Sequence, residues 1–322
     1  MKTLSEILQM VAQAVESLDW NRSPRALYEP IDYTLALGGK RVRPALSLIA
    51  ADMYDADLQE VIPTALALEV FHNFTLLHDD VMDKALLRRG RATVHEKWSE
   101  NTAILSGDVM SIEAYRLLAG VPEKHLKQVL DIFTQMAIEI CEGQQMDMNF
   151  ERQPSVTKSE YMEMIRLKTA VLLASALKIG AVIAGAPKKD CESLYEFGIN
   201  LGLAFQLQDD YLDVYGNEQT FGKSIGGDIL CNKKTYMMIS ALEVAKGEDA
   251  TLLNKWIESN PNADKVIAVT QLYTKLHVDE MCRERIDFYH KKALDNLEKL
   301  SIDSEKLQTL KNLIVKLMCR EE

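Results

Sequence analysis

Apolar residues recur at three- and four-residue intervals along nearly the whole chain, and that period restricts it to a helical fold. Leu4, Ile7, Leu8, Val11, Ala14, Val15 and Leu18 trace the first such stripe. The alternation that marks a half-buried strand is scarce. Eight prolines, Pro24, Pro30, Pro44, Pro63, Pro122, Pro154, Pro187 and Pro261, are expected where helices start or stop. The segments from Thr64 to Leu77 and from Thr169 to Gly185 are apolar on nearly every face, which predicts helices enclosed by other helices. The expected architecture is an all-α, layered helical bundle. With 322 residues and 47% apolar content the chain can bury a large core. Length alone suggests about two domains, yet no Pro/Gly/Ser-rich linker, low-complexity stretch or solenoid repeat divides it, so residues 1–322 read as one domain.

A net charge of −11 argues against a nucleic-acid partner, because phosphate-backbone binding rests on clustered Lys and Arg. An anionic substrate must therefore meet local cations or a bound metal. Five cysteines, Cys141, Cys191, Cys231, Cys282 and Cys319, are odd in number and far apart. They suit neither a disulfide framework nor a zinc site, and read as buried thiols in a reducing compartment. Met1 to Trp20 is amphipathic and lacks the apolar block of a signal peptide, and no apolar run reaches the roughly 18 residues of a membrane span. No membrane span and a cytoplasmic location are the expectations.

Polar residues within enclosed helices are costly unless paired or functional, so chemistry is sought there. His72 precedes Asp79-Asp80-Val81-Met82-Asp83 on the first apolar helix. At 3.6 residues per turn Asp79 and Asp83 share a face, and His72 lies within about 20° of Asp79. Asp209-Asp210-Tyr211-Leu212-Asp213 repeats the spacing, with Gln206 one turn upstream, so that Gln206, Asp210 and Asp213 share a face with Asp209 beside them. Stacked carboxylates repel one another and need a counter-charge. Hard oxygen donors without His or Cys select magnesium, which takes a few carboxylates together with substrate phosphates and water. One such run alone reads as a solvated helix end. Two copies of the spacing, each closing an apolar helix, predict two metal-binding walls.

Basic segments accompany the acidic ones. Gly38-Gly39-Lys40-Arg41-Val42-Arg43-Pro44 sets three cations between permissive glycines and a helix-opening proline, a plausible anion cradle. Its spacing is not that of a Walker phosphate loop. Arg88 and Arg89 follow the first cluster, and Arg is suited to bidentate contact with phosphate. The glycine-rich run Phe221 to Asp228, containing Lys223, follows the second cluster, and Asn232-Lys233-Lys234-Thr235 enters a further helix. Lys168-Thr169 stands on an otherwise apolar helix, where a buried lysine needs a partner or a role. Acidic pairs each followed by basic loops describe a site for a pyrophosphate leaving group.

Six segments in order, GGKRVRP, HNFTLLHDDVMD, LRRG, KTA, FQLQDDYLDVYG and GKSIGGD with NKKT, resemble those of the trans-type isoprenyl diphosphate synthases, the polyprenyl synthetase family, from Gly38 to Thr235. The resemblance implies a single polyprenyl synthetase domain of the isoprenoid synthase fold, homodimeric, with a deep central cavity. It implies that Asp79 and Asp83 bind two magnesium ions and that Asp209, with Asp213, binds a third. Lys40, Arg43, His72 and Arg89 would hold isopentenyl diphosphate. Arg88, Lys168, Gln206, Lys223 and Lys233 would reach the allylic diphosphate, whether dimethylallyl, geranyl or farnesyl. The Thr169 hydroxyl and the Gln206 carbonyl would stabilise the carbocation. A terpene cyclase shares the fold and the first acidic cluster but needs no second diphosphate site. A non-catalytic partner subunit usually lacks carboxylates of one cluster. Both clusters are complete here.

Product length in this family depends on how far the growing tail descends before a large side chain stops it. Phe74, five residues before Asp79, lies about 7.5 Å deeper along the helix, with Thr75 beside it and Phe71 one turn below as a second floor. The first cluster also lacks the two-residue insertion of typical bacterial farnesyl synthases. An aromatic here with a small neighbour resembles short-chain enzymes, so geranylgeranyl diphosphate is the first expectation and farnesyl diphosphate the second.

Overall fold

A computed structural model describes residues 1–217 and 225–318. Phe221 to Ser224, with Lys223, and Cys319 to Glu322 lie outside the described residues. The helical expectation holds: the only strands among the described residues are a two-residue pair, Leu87–Arg88 against Arg91–Ala92. The helices are α1 (Leu4–Glu16), α2 (Arg25–Ala36), α3 (Val42–Asp52), α4 (Ile62–Met82), α5 (Val94–Lys97), α6 (Glu100–Leu118) and α7 (Glu123–Arg152). Next come α8 (Lys158–Ile165), a π-helical turn (Arg166–Ala170), α9 (Val171–Ile183) and α10 (Lys188–Tyr215). The last are α11 (Gly227–Leu230), α12 (Tyr236–Val244), α13 (Glu248–Ile257), α14 (Ala263–Lys275), α15 (Val278–Leu297) and α16 (Gln308–Met318). None of the described helices is long and apolar enough to cross a membrane.

Local chemistry starts these helices where the sequence places them. In α1 the Thr3 hydroxyl accepts from the Glu6 N–H at 3.3 Å while the Glu6 carboxylate accepts from the Thr3 N–H at 2.7 Å. Thr157 and Glu160 repeat that reciprocal cap on α8. Each cap contributes about 1 kcal/mol by satisfying backbone donors the helix leaves over. Seven of the prolines lie at helix starts or outside helices; Pro30 is the exception. It sits inside α2, buried, and forfeits one backbone hydrogen bond. Cys191 and Cys282 are buried as expected, whereas Cys141 and Cys231 are exposed. Helical period reads a stripe, not the solvent exposure of a single thiol.

The chain divides into two compact units. The first comprises residues 1–133, 175–192 and 301–310. In it α4 runs against α6 and α3, and its apolar residues Ala65 to Phe71 are enclosed. Gly180 lets α9 reach the α3 backbone: a Cβ there would stand 2.0 Å from the Ser47 carbonyl oxygen. The buried Asp190 carboxylate accepts from the Tyr54 hydroxyl at 2.9 Å and the Ser301 hydroxyl at 2.6 Å. The second unit comprises residues 134–174, 193–300 and 311–322. There α10 lies against the start of α9, with Gly198 on Ala174 and Gly202 on Ala170, and α12 packs on α8 and α15.

Candidate active site

In the first unit α4 carries the acidic cluster at its C-terminal end, with Asp83 as its C-cap. Asp79 is half-buried and Asp83 exposed, one turn apart. Asp80 points the other way and is buried. It accepts from Arg88 Nε at 2.8 and 2.9 Å and from Nη2 at 2.7 Å. Burial raises the Asp80 carboxyl above its ordinary value, against the opposing pull of Arg88. The two short strands turn through Arg89 and Gly90, both left-handed, and so bring Arg88 back to the helix end.

The basic cradle is divided between structure and surface. Arg41, in a left-handed conformation, donates to the buried Glu69 of α4 and to the Leu35 carbonyl at 2.7 Å. Asn73 donates to the same Glu69 carboxylate at 2.8 Å. Arg89 donates to the Gly38 carbonyl oxygen, and the φ of +140° at Gly39 is one that favours glycine. Lys40 is exposed and Arg43 partly so. His72 sits among these cations. Its burial, then the charges of Arg43, Arg89, Arg88 and Arg41, hold its pKa well below 6.5, so the ring is neutral at neutral pH. A neutral imidazole offers one donor and one acceptor, which suits a phosphate oxygen set among arginines.

Phe74, Phe71 and Thr75 lie below Asp79 on α4. The Phe74 ring meets His78 edge-on at 4.8 Å and Phe71 at 5.2 Å, and Phe71 continues to Phe133 at 5.2 Å. Thr75 is turned back to its own helix, donating to the His72 carbonyl at 2.8 Å.

In the second unit the acidic cluster ends α10. Asp209 is half-buried. Asp213 is buried, and its Oδ2 accepts from the Asp228 N–H at 3.0 Å, which ties the start of α11 to α10. Asp210 is buried and pushed up to about 7 by that burial first and by Asp228 second. It accepts from the Tyr161 hydroxyl, from Gln206 Nε2 at 3.3 Å and from the Tyr236 N–H at 3.3 Å.

Lys168 and Thr169 stand in the π-helical turn between α8 and α9, an irregularity found often at functional sites. The backbone of this turn comes so close to α7 that a Cβ on Gly143 would stand 2.4 Å from the Lys168 nitrogen. The Lys168 ammonium meets Asp147 at 2.6 Å, both partly buried. The Thr169 hydroxyl donates to the Gln206 carbonyl at 3.1 Å. Lys233 is exposed, 3.9 Å from Asp228.

The structure thus brings His72, Asp79, Asp83, Arg43, Arg88 and Arg89 together in one unit, and Thr169, Gln206 and Asp209 in the other. It also shows residues that spacing alone does not single out, Glu69, Asp80, Asp147 and Tyr161, while the Gln206–Asp210 bond joins two residues that helical spacing puts on one face. Glu69 carries a signal, as the one carboxylate in the apolar stretch of α4 that precedes Asp79. Among the described residues no three His, Cys, Asp or Glu side chains draw together as a ready-made metal cage. A pair of carboxylates is nevertheless what magnesium takes from a protein when phosphates and water complete its shell, so Asp79 with Asp83, and Asp209, fit that ion.

The enclosed helices and the doubled acidic and basic segments are those of an isoprenoid synthase fold. Residues 24–276 match the Polyprenyl synthetase family. A geranylgeranyl diphosphate synthase of Methanosarcina mazei is 42% identical over 235 residues, 72% of each chain. The crystal structure of a geranylgeranyl pyrophosphate synthase superposes with a TM-score of 0.94 at 44% identity over the whole of both chains. Another such synthase, from Corynebacterium glutamicum in complex with isoprenyl diphosphate and magnesium, gives 0.87 at 26% identity and 98% coverage of each chain. The chain belongs to the polyprenyl synthetase family, as a trans-type isoprenyl diphosphate synthase.

Proposed function

We propose that this short-chain prenyltransferase is a single-domain, cytoplasmic, magnesium-dependent homodimer that makes geranylgeranyl diphosphate, with farnesyl diphosphate as the second choice. The supporting observation is that each acidic cluster keeps its first aspartate, Asp79 or Asp209, partly open while its second is buried in a network of its own. Asp79 and Asp83 would hold two magnesium ions, and Asp209, with Asp213, a third. When bound, the metal neutralises the charge that gathers on departing pyrophosphate. Lys40, Arg43, His72 and Arg89 hold isopentenyl diphosphate, the neutral His72 sharing an oxygen with the guanidiniums. Arg88, aimed by Asp80, contacts the allylic diphosphate, as do Lys168 and Lys233.

Heterolysis of the allylic C–O bond leaves a resonance-stabilised cation. The isopentenyl double bond attacks it to form the new C–C bond, and the departing pyrophosphate takes the surplus proton. Thr169 and the Gln206 carbonyl present their dipoles to the cation, and enclosing apolar helices keep water from quenching it. The homodimer is supported by an exposed apolar stripe on α6, formed by Ile104, Leu105 and Ile112. The deciding experiment supplies purified chain with labelled isopentenyl diphosphate and each allylic primer, with and without magnesium, and sizes the dephosphorylated products. Twenty-carbon product made only with magnesium is expected. Consumption of farnesyl diphosphate alone, without elongation, would replace this reading with a cyclase.

A further inference from the structure

Adjacent aspartates in a helix point about 100° apart, so a pair on an enclosed helix cannot present both carboxylates to one ligand. In α10 this separation is complete. Asp210 turns inward and gathers three donors: the Tyr161 hydroxyl of α8, the Gln206 amide one turn upstream, and the Tyr236 N–H at the start of α12. Tyr161 is 2% exposed and Asp210 4%, so solvent does not substitute for any of these bonds.

The consequence falls on Gln206. An amide has one donor end and one acceptor end, and an acceptor facing the donor end settles which way round it sits. Asp210 Oδ1 takes Gln206 Nε2 at 3.3 Å, which leaves Gln206 Oε1 at the Thr169 hydroxyl, 3.1 Å away in the π-helical turn. Without Asp210 held in place the amide has no reason to prefer this orientation. Reversed, it would present an N–H₂ dipole, positive end first, where the proposed reaction develops a carbocation. The Tyr161 hydroxyl donates to Asp210 Oδ2, the oxygen that Gln206 does not use, and so fixes the carboxylate in the plane that Gln206 needs. Tyr236 N–H shares that oxygen and anchors the network to α12.

From this we infer that Tyr161 and Asp210 are positioning residues for the prenyl transfer, which set the direction of the Gln206 carbonyl and through it the Thr169 hydroxyl. The inference rests on the proposed function. It assigns a role to a tyrosine that lies outside every motif and to an aspartate that takes no part as a ligand.

The test is a double-mutant cycle on the full chain, measured as single-turnover and steady-state rates with the product-forming primer. Tyr161→Phe keeps the ring and removes the bond to Asp210. It should lower kcat on the order of tenfold to a hundredfold, as a misaimed catalytic dipole does, with both KM values held within about twofold. In a Gln206→Leu background the same change should cost nothing further, because its effect runs through the missing amide. Losses that multiply, a rise in KM matching the fall in kcat, or unchanged turnover in Tyr161→Phe or in Gln206→Leu would each overturn the assignment. Should Gln206→Leu be too slow to measure, the kcat-against-KM split of Tyr161→Phe decides alone. Should Tyr161→Phe not fold, the isosteric Asp210→Asn takes its place in the cycle, and the same results support or overturn the assignment. A wild-type chain that elongates no primer would instead sink the proposed function.

Discussion

At the scale of single residues, each acidic pair divides its labour between neighbours that the sequence writes identically. Asp79 and Asp209 stay partly open, whereas Asp80 is bound to Arg88 and Asp210 to Tyr161. On the proposed function, removing the open member takes away a metal ligand and leaves packing intact. Asp79→Ala and Asp209→Ala are therefore expected to lower kcat by orders of magnitude while keeping the thermal midpoint within a few degrees of wild type. Calorimetry beside steady-state kinetics checks this, and near-normal turnover at ordinary magnesium would remove these residues from the metal site. Spacing is enough to place Asp79, Asp83 and His72 on one face, because helical geometry is local. It is silent on which aspartate of a pair turns inward, because that depends on partners brought from elsewhere. Arg88 is eight residues from Asp80 and returns through a two-strand turn, and Tyr161 is 49 residues from Asp210.

At the scale of elements, the helical period locates α4 and α10 and the enclosed stretches within them, since burial on all faces leaves a direct trace in composition. It does not foresee the helical Pro30 or the π-helical turn at Arg166–Ala170. The turn lies where the α7 backbone at Gly143 comes close, and the residues Arg166 to Ala170 carry no mark of it. On α4 the Phe74 ring leans on Phe71 and His78, and its proposed part as the stop for the growing chain is tested by removing it. Phe74→Ala is expected to lengthen the product by at least one isoprene unit with elongation otherwise retained. Phe71 becomes the next obstacle. Chromatography of dephosphorylated products checks this, and an unchanged length distribution from an active enzyme would clear Phe74 of the role.

At the scale of the whole molecule, an acidic chain of 36.4 kDa leaves Ile104, Leu105 and Ile112 of α6 39%, 58% and 68% exposed. A homodimer would cover them. Ile112→Glu sets a charge in that stripe and is expected to shift the species in sedimentation equilibrium from twice 36.4 kDa toward 36.4 kDa. A wild-type chain that sediments as a monomer would remove the dimer from the proposal. The glycines carry a separate consequence. Gly143 meets the Lys168 backbone, Gly180 meets Ser47, and Gly198 and Gly202 meet Ala174 and Ala170, each at distances no Cβ tolerates. Any ancestor that tried alanine at these positions had to move a helix, so drift is barred there whatever the enzyme makes. In a comparison of relatives with different products these four positions should stand as still as the aspartates, for a reason of space alone. Invariance would then mark two unlike things in this protein, the reacting groups and the places where two backbones touch.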